Sequence, residues 1–274
     1  MKMLWILAFK ELKDGLRNRW IAAAIIVLGT LALALSLLGS APTGSVKASA
    51  MDITVISLAS LSVYLIPLIA LMLAFDALVG EFERGTMMLL LTYPVARWQV
   101  IIGKFLGHVL ILFIAIFVGY GGAMLIMLAS GGSIEGWQAY VAMMASSLLL
   151  GSIFIALGYL ISVLVKERAT AAGAAIGLWL VLVVLYGLLL FGALVIDKEQ
   201  VISQQLFSTL MLLSPTDSYR ILNLSMFEGV SQAAGIAGVA SSAGISNTLL
   251  LTVLLLWVIT PLLATLWVFQ RREL

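Results

Sequence analysis

The chain has 274 residues, of which 63% are apolar and 10% charged, with a mean hydropathy of +1.17. Soluble domains carry roughly 25% charged residues, so this chain lacks the polar surface to cover a globule in water, and lipid must be its main solvent. Its charge of +2 reads as membrane orientation rather than nucleic-acid binding, and the absence of cysteine excludes a disulfide framework, a thiolate metal site and a redox motif.

Segment 2–19 comes first. Leu4, Leu7, Ala8, Leu12 and Leu16 recur at helical spacing, Trp5 and Phe9 widen the apolar face, and Lys10, Lys13, Asp14 and Arg17 lie largely off it. This pattern predicts an amphipathic helix in the membrane interface with its cations toward anionic lipid. It serves either as an orientation anchor or as a lever passing motion to the first span.

Six apolar runs follow, at 20–40, 53–79, 105–130, 138–165, 169–196 and 248–269. Each can supply the ~20 residues a helix needs to cross a bilayer. The first exceeds the apolar core of a signal peptide and follows a long charged lead, so it is expected to be retained. None alternates, and all exceed the ~10-residue strands of a membrane barrel. The expected fold is therefore an all-α membrane protein with six transmembrane helices, forming one transmembrane domain over 1–274. Pro67 and Pro261 fall inside the second and sixth runs, where kinks are tolerated if neighbours satisfy the freed carbonyl. Gly103 with Gly107, Gly151 with Gly158 and Gly173 with Gly177 mark close helix packing, within the chain or across a dimer. Asp76 is the only acid well inside a run. It sits near the end of its span, so capping or pairing with a basic neighbour is favoured over substrate binding.

Twelve of the 15 Lys and Arg lie in the N-terminal segment, the second and fourth connections and the C-terminus; the other three are Lys47, Lys198 and Arg220. The positive side is cytoplasmic, which places both termini inside and the long connection 197–247 outside.

Segment 80–104 carries the densest signal, GEFERGTMMLLLTYPVARWQVIIGK. Glu81, Glu83 and Arg84 mark emergence from the membrane, Gly85 permits a sharp turn, and Thr86 can cap a short helix reaching Leu91. Pro94 suits the first turn of the next helix. A short helix that is apolar throughout needs cover, from the membrane interface or from a partner's groove. This segment resembles the hallmark of the ABC-2 class of ABC-transporter membrane subunits, E-x-E-R-G-T-x-x-x-L-L-x-x-P-x-x-R. Glu81, Glu83, Arg84, Gly85, Thr86, Leu90, Leu91, Pro94 and Arg97 stand in its places. The resemblance implies a coupling helix seated on a separate ATPase subunit, which binds ATP and Mg, and a membrane core made of two copies of the chain.

No nucleotide site is expected on the chain itself. A P-loop reads G-x-x-x-x-G-K-[ST], whereas the only Gly-Lys pair, Gly103-Lys104, has Trp98 in the first glycine place and Phe105 after the lysine. His108 is the only histidine, with no serine or metal-ligand constellation around it in sequence, and reads as structural or interfacial. The chain is expected to bind no cofactor and to hold no catalytic residue.

In the outer connection, Leu206, Phe207, Leu210 and Met211 form the apolar face of an interfacial helix. Ser214, Pro215 and Asp217 then fit an N-cap, a first-turn proline and a capping acid, so a helix should start at Pro215. The Gly/Ala/Ser run from 229 to 246 argues against regular structure there. Two readings stand: a surface-lying re-entry or lid, and a platform for an extracytoplasmic protein that uses Ser214, Asp217 and Arg220.

Within the ABC-2 class, the stretches SPTDSYRILNL and GEFERGT and the chain length resemble membrane subunits of nitrous-oxide-reductase maturation transporters of the bacterial inner membrane. That resemblance implies a NosF-like ATPase, a NosD-like periplasmic solenoid protein, and a role in assembling a copper–sulfide centre. Other ABC-2 permeases export lipids, polysaccharides or drugs on the same core. Thioethers suit Cu(I), which makes Met124, Met127, Met143 and Met144 weak candidates for copper, although Met also fills gaps between helices; no metal site is expected. A docking protein that relays motion and translocates nothing is the alternative from another class. A proton-coupled secondary transporter fits less well, since no further ionisable residue falls at a midplane position.

Overall fold

The computed structural model describes residues 2–17, 19–39, 50–129, 136–196, 204–225 and 245–272. Among them the chain is helical, with no strand. Five stretches are long and apolar enough to cross a membrane: Thr54–Glu83, Arg97–Ala129, Trp137–Leu164, Arg168–Ile196 and Asn247–Arg271. The first of the six expected runs lies in a further apolar helix, α2 (Arg19–Gly39), preceded by α1 (Lys2–Leu16). Lys47, Lys198 and the Gly/Ala/Ser run up to residue 244 lie outside the described residues.

The stretch Thr54–Glu83 is broken near one end. Helix α3 (Ala50–Ala74) stops before a turn at 75–78, and α4 (Val79–Glu83) resumes it. The Ser162 hydroxyl accepts the backbone N–H groups of Leu78 and Val79, both at 3.0 Å, so the donors that the break frees are satisfied inside the protein. The short helix α5 (Thr86–Leu91) and the long α6 (Arg97–Ala129) follow. Pro94 lies in a bend ahead of α6, across which the Val95 N–H reaches the Tyr93 carbonyl at 2.7 Å, and not in the first turn of α6. The Gln99 side chain instead accepts the N–H of Ala96 at 3.1 Å, closing the helix start. Thr86 does not cap α5 either; its hydroxyl donates back to the Glu81 carbonyl at 3.3 Å.

Helix α7 (Trp137–Leu164) is the central post, packed against α3, α6 and the last helix, α12 (Asn247–Arg271). Its most apolar window is 72% buried inside the protein, against 11% for Arg168–Ile196, which becomes the fifth crossing when the expected run in α2 is counted as the first, so lipid can meet one of these helices and hardly the other. A Cβ at Gly158 of α7 would stand 2.7 Å from that of Ala74, which explains the small residue there. The fifth crossing comprises α8 (Arg168–Trp179), a π-helical segment (Leu180–Leu185) and α9 (Tyr186–Ile196). Apolar run length shows the crossing but not its π segment.

Helices α10 (Gln204–Leu212) and α11 (Pro215–Leu224) form a hairpin, and α11 starts at Pro215 as its cap predicts, with the Asp217 N–H on the Ser214 hydroxyl at 3.2 Å. Helix α10 keeps one side outward, with Phe207 and Met211 buried and Leu206 50% exposed, but α11 does not lie on a surface. Thr216, Asp217, Ser218, Tyr219 and Asn223 are all buried, and α11 packs against α3, α7 and α12. Complementary polar groups make this possible. Tyr219 and Ser147 share a hydrogen bond of 2.8 Å, Ser146 donates to the Asn223 carboxamide oxygen at 3.1 Å, and Thr216 donates to the Leu182 carbonyl of the π segment at 3.2 Å.

Candidate functional site

Helix α1, the 80–97 connection, the turn before α8 and the end of α12 meet at one end of the bundle, the end rich in Lys and Arg. The close approach of α1 comes from α6. Gly103 and Gly107 face it, and a Cβ there would lie 2.8 Å from that of Leu7 and 2.8 Å from the Ala8 carbonyl oxygen. Leu7 and Ala8 are buried in this contact, whereas Trp5 and Phe9 are 53% and 60% exposed. The broad apolar face read from sequence is thus divided, with one strip against α6 and the aromatic strip outward.

Beside the two glycines stand Lys104 and His108. The Lys104 ammonium, almost wholly buried, is 2.5 Å from a Glu11 carboxylate oxygen and 2.8 Å from one of Glu81. It ties α1 to the start of the connection through α6. Burial alone would push the Glu11 carboxyl up, but Lys104, His108 and Lys10 together hold it below its ordinary value. His108 shares a 2.7 Å hydrogen bond with the Tyr159 hydroxyl through Nδ1, and its Nε2 stands 3.9 Å from Glu11. It joins α6 to α7 and is a packed, structural histidine.

The other motif residues are tethers as well. Glu83 accepts the backbone N–H of Arg168 at 2.7 Å, and the Arg168 guanidinium grips the Asp76 carboxylate with two contacts of 2.6 Å. Asp76 is therefore paired with a basic neighbour. Gly85 holds φ at +69°, a left-handed conformation that other residues adopt at a cost. Arg97 donates to the carbonyls of Phe269 (3.2 Å), Gln270 (2.8 Å) and Arg272 (3.3 Å), closing the end of α12, where carbonyls lack helical donors. Arg272 in turn donates to Val163 at 3.0 Å and lies over the Phe82 ring, 4.3 Å from its centre.

Large apolar side chains remain outward beside the exposed Glu83, Arg84, Thr86 and Thr92. Met87 of α5 is buried and Leu90 and Leu91 are half-buried, but Met88, Leu89 and Tyr93 are 50%, 66% and 64% exposed, and Trp98 is exposed beside them. Arg84 and Pro94 are exposed on the same connection. A cavity of about 950 Å³ opens next to it, lined among others by Glu11, Asp76, Arg84, Lys104 and Arg168.

The remaining sequence candidates sit elsewhere. Ser214 and Asp217 are buried, and Arg220, 29% exposed at its side chain, reaches Asp217 at 3.4 Å. Met127 and Met143 are buried, their sulfurs 4.0 Å from the Thr54 hydroxyl and 3.7 Å from that of Ser147, while Met124 and Met144 are half-buried. Among the described residues no three His, Asp or Glu side chains gather as a metal site. Sequence reasoning missed Glu11, Lys104 and Arg272. The available signal was a lysine in step with two glycines on one helix face, which calls for an acid on a closely packed partner.

Residues 5–274 match the family of ABC-2 family transporter proteins. Two relatives carry the name "Probable ABC transporter permease protein NosY". That of Stutzerimonas stutzeri is 43% identical over 278 residues, covering 99% of both chains. That of Pseudomonas aeruginosa (strain PAO1) is 43% identical over 277 residues and covers both chains in full. A chain of membrane-crossing helices that carries the ABC-2 hallmark, matched along nearly its whole length, belongs to the ABC-2 family and is the permease type of ABC transporter subunit, not itself catalytic, whose work implies an ATPase partner.

Proposed function

We propose that the basic end is cytoplasmic and that the exposed strip Met88, Leu89, Tyr93 and Trp98 is the seat of a separate ATP-hydrolysing subunit. One observation carries this reading. Glu81, Glu83 and Arg97 each engage another helix, Glu83 while staying exposed, so the motif braces the segment and leaves large apolar side chains for a partner's groove. Force applied there reaches α1 through Glu81, Lys104 and Glu11, α8 through Glu83, and α12 through Arg97. In this arrangement α2 is the first of six spans, both termini are cytoplasmic, and two copies form the core in the bacterial inner membrane. ATP and Mg belong to the partner, and this chain binds no cofactor.

The relatives' name, together with the SPTDSYRILNL and GEFERGT stretches, supports a NosF-like ATPase, a NosD-like periplasmic solenoid protein and a part in maturing the copper–sulfide centre of nitrous oxide reductase. Because Ser214 and Asp217 are buried and Arg220 is only partly exposed, the periplasmic contact falls first to the exposed Leu213.

A second reading, relay without translocation, draws support from packing. The two described cavities are separated along α3, one lined by Tyr64 and the other from Met72 onward, with Ile66 and Leu71 buried between them. Cargo flux in proteoliposomes containing the ATPase separates the two readings. Docking itself is tested by Met88→Asp with Leu89→Asp, which changes exposed side chains only. The double variant should reach the membrane at the wild-type level and lose ATPase co-purification. Undiminished co-purification refutes the assignment.

A further inference from the structure

The second cavity, of about 380 Å³, lies between α3, the fifth crossing and the hairpin. Val184, Leu188, Phe191 and Met211 give it apolar walls, and Tyr64, Asp217 and Arg220 make one end polar. Leu188 and Phe191 are 60% and 50% exposed on the crossing that is least buried by the rest of the chain. The cavity thus opens sideways toward acyl chains.

Tyr64 lies inside α3 (Ala50–Ala74), within a stretch long and apolar enough to cross a membrane. An acid and a base beside such a stretch are costly unless satisfied, and these two are satisfied poorly. Asp217 is 4% exposed, and its Oδ2 has no hydrogen-bond partner among the described residues. Its Oδ1 meets Arg220 only at 3.4 Å. Arg220 also donates to the Tyr64 hydroxyl at 3.2 Å and lies 5.6 Å from the centre of its ring. An unsatisfied acceptor beside a half-open cation, under apolar walls with a lateral mouth, describes a receptor for an amphiphile that carries both charges.

We propose that this cavity holds the head group of one zwitterionic phospholipid of the phosphatidylethanolamine kind per chain. Its ammonium donates to Asp217 Oδ2, its phosphate accepts from Arg220, and its acyl chains leave over Leu188 and Phe191. The head group is selected by chemistry. A trimethylammonium group has no N–H to give Oδ2, and an anionic phosphatidylglycerol head leaves a net charge in a low-dielectric site. A phosphoethanolamine head, with N–H donors and no net charge, avoids both. The bound lipid also lies against the π segment, whose Leu182 carbonyl Thr216 reaches, so it wedges the hairpin against the fifth crossing. The inference needs only the membrane location and not the ATPase assignment.

The test is native mass spectrometry of the full chain in mild detergent, titrated with dioleoyl phosphatidylethanolamine, phosphatidylcholine and phosphatidylglycerol. One molecule of the first should bind per chain, about tenfold tighter than the others, as a charge-assisted hydrogen bond allows. Arg220→Gln and Asp217→Asn should each abolish that preference. Gly187 lines the cavity and a Cβ there meets nothing within 4 Å, so Gly187→Leu fills the space without a clash; it should remove the tight site while size-exclusion profile and melting stay unchanged. Equal binding of the three lipids to the wild type means annular lipid only and overturns the proposal, as does undiminished preference in Gly187→Leu. If Asp217→Asn does not fold, the other two variants decide.

Discussion

Lys104 stands between two carboxylates, Glu11 and Glu81, that come from separate earlier parts of the chain. A buried ion pair adds little net stability over an apolar substitute, but removing one partner leaves the other charged and unsolvated, at about 3–5 kcal/mol. Lys104→Met strands two such acids, Glu11 and Glu81, and should lower stability by at least that range. The triple change of Lys104→Met with Glu11→Gln and Glu81→Gln should recover most of the loss, because no charge is left buried. Thermal unfolding of the detergent-solubilised chain checks both, and a Lys104→Met variant as stable as wild type would show that the triad holds nothing. The cluster was only half legible. Glu81 stands out through its motif, yet its partner is the lysine that ends the same connection, just ahead of an apolar run, and Glu11 lies 93 residues from that lysine. Local spacing shows which residues share a helix face; it cannot show which distant helix supplies the counter-charge. Arg97 is similar, recognisable as a motif position but not as the closure of a helix end beyond residue 268.

At the scale of elements, apolar run length placed the crossings and the Ser-Pro-Thr-Asp cap placed the start of α11. The burial of α11 escaped notice because PTDSYRILNL is too polar to read as membrane-embedded. Its acceptors and donors are Ser146 and Ser147 of α7 and a carbonyl in the π segment, each unremarkable in its own stretch. The glycine pairs behaved differently from one another, which yields an element-level prediction. Gly107 gives α1 its seat, so Gly107→Leu should push α1 off α6 and part Glu11 from Lys104 while the crossings still insert. Limited proteolysis should then cut within 2–17 far faster than in wild type, and coupled ATPase activity should fall. Cleavage at the wild-type rate would mean that α1 is held by something other than this contact. Coupled activity surviving the release of α1 would make the helix an anchor and not a lever.

For the whole molecule the open question is what covers the fifth crossing. Gly103, Gly107 and Gly158 have their neighbours within the chain, but a Cβ at Gly173 or Gly177 meets nothing within 4 Å. Both are exposed on α8, next to Ile176 at 51% exposure. Either lipid or a second copy covers this face, and small residues four apart favour a helix, because backbones can approach there and gain packing that lipid tails do not supply. An isologous contact through α8 would also bring two copies of the basic end together about one axis, the arrangement a paired ATPase needs. Gly173→Leu with Gly177→Leu is therefore expected to leave the single chain folded, since the added side chains enter open space, and to convert dimers into monomers. Mass photometry of the chain in lipid nanodiscs reads the outcome directly, with melting as the control for folding. Dimers persisting at the wild-type fraction would assign this face to lipid and send the search for the seam to another helix.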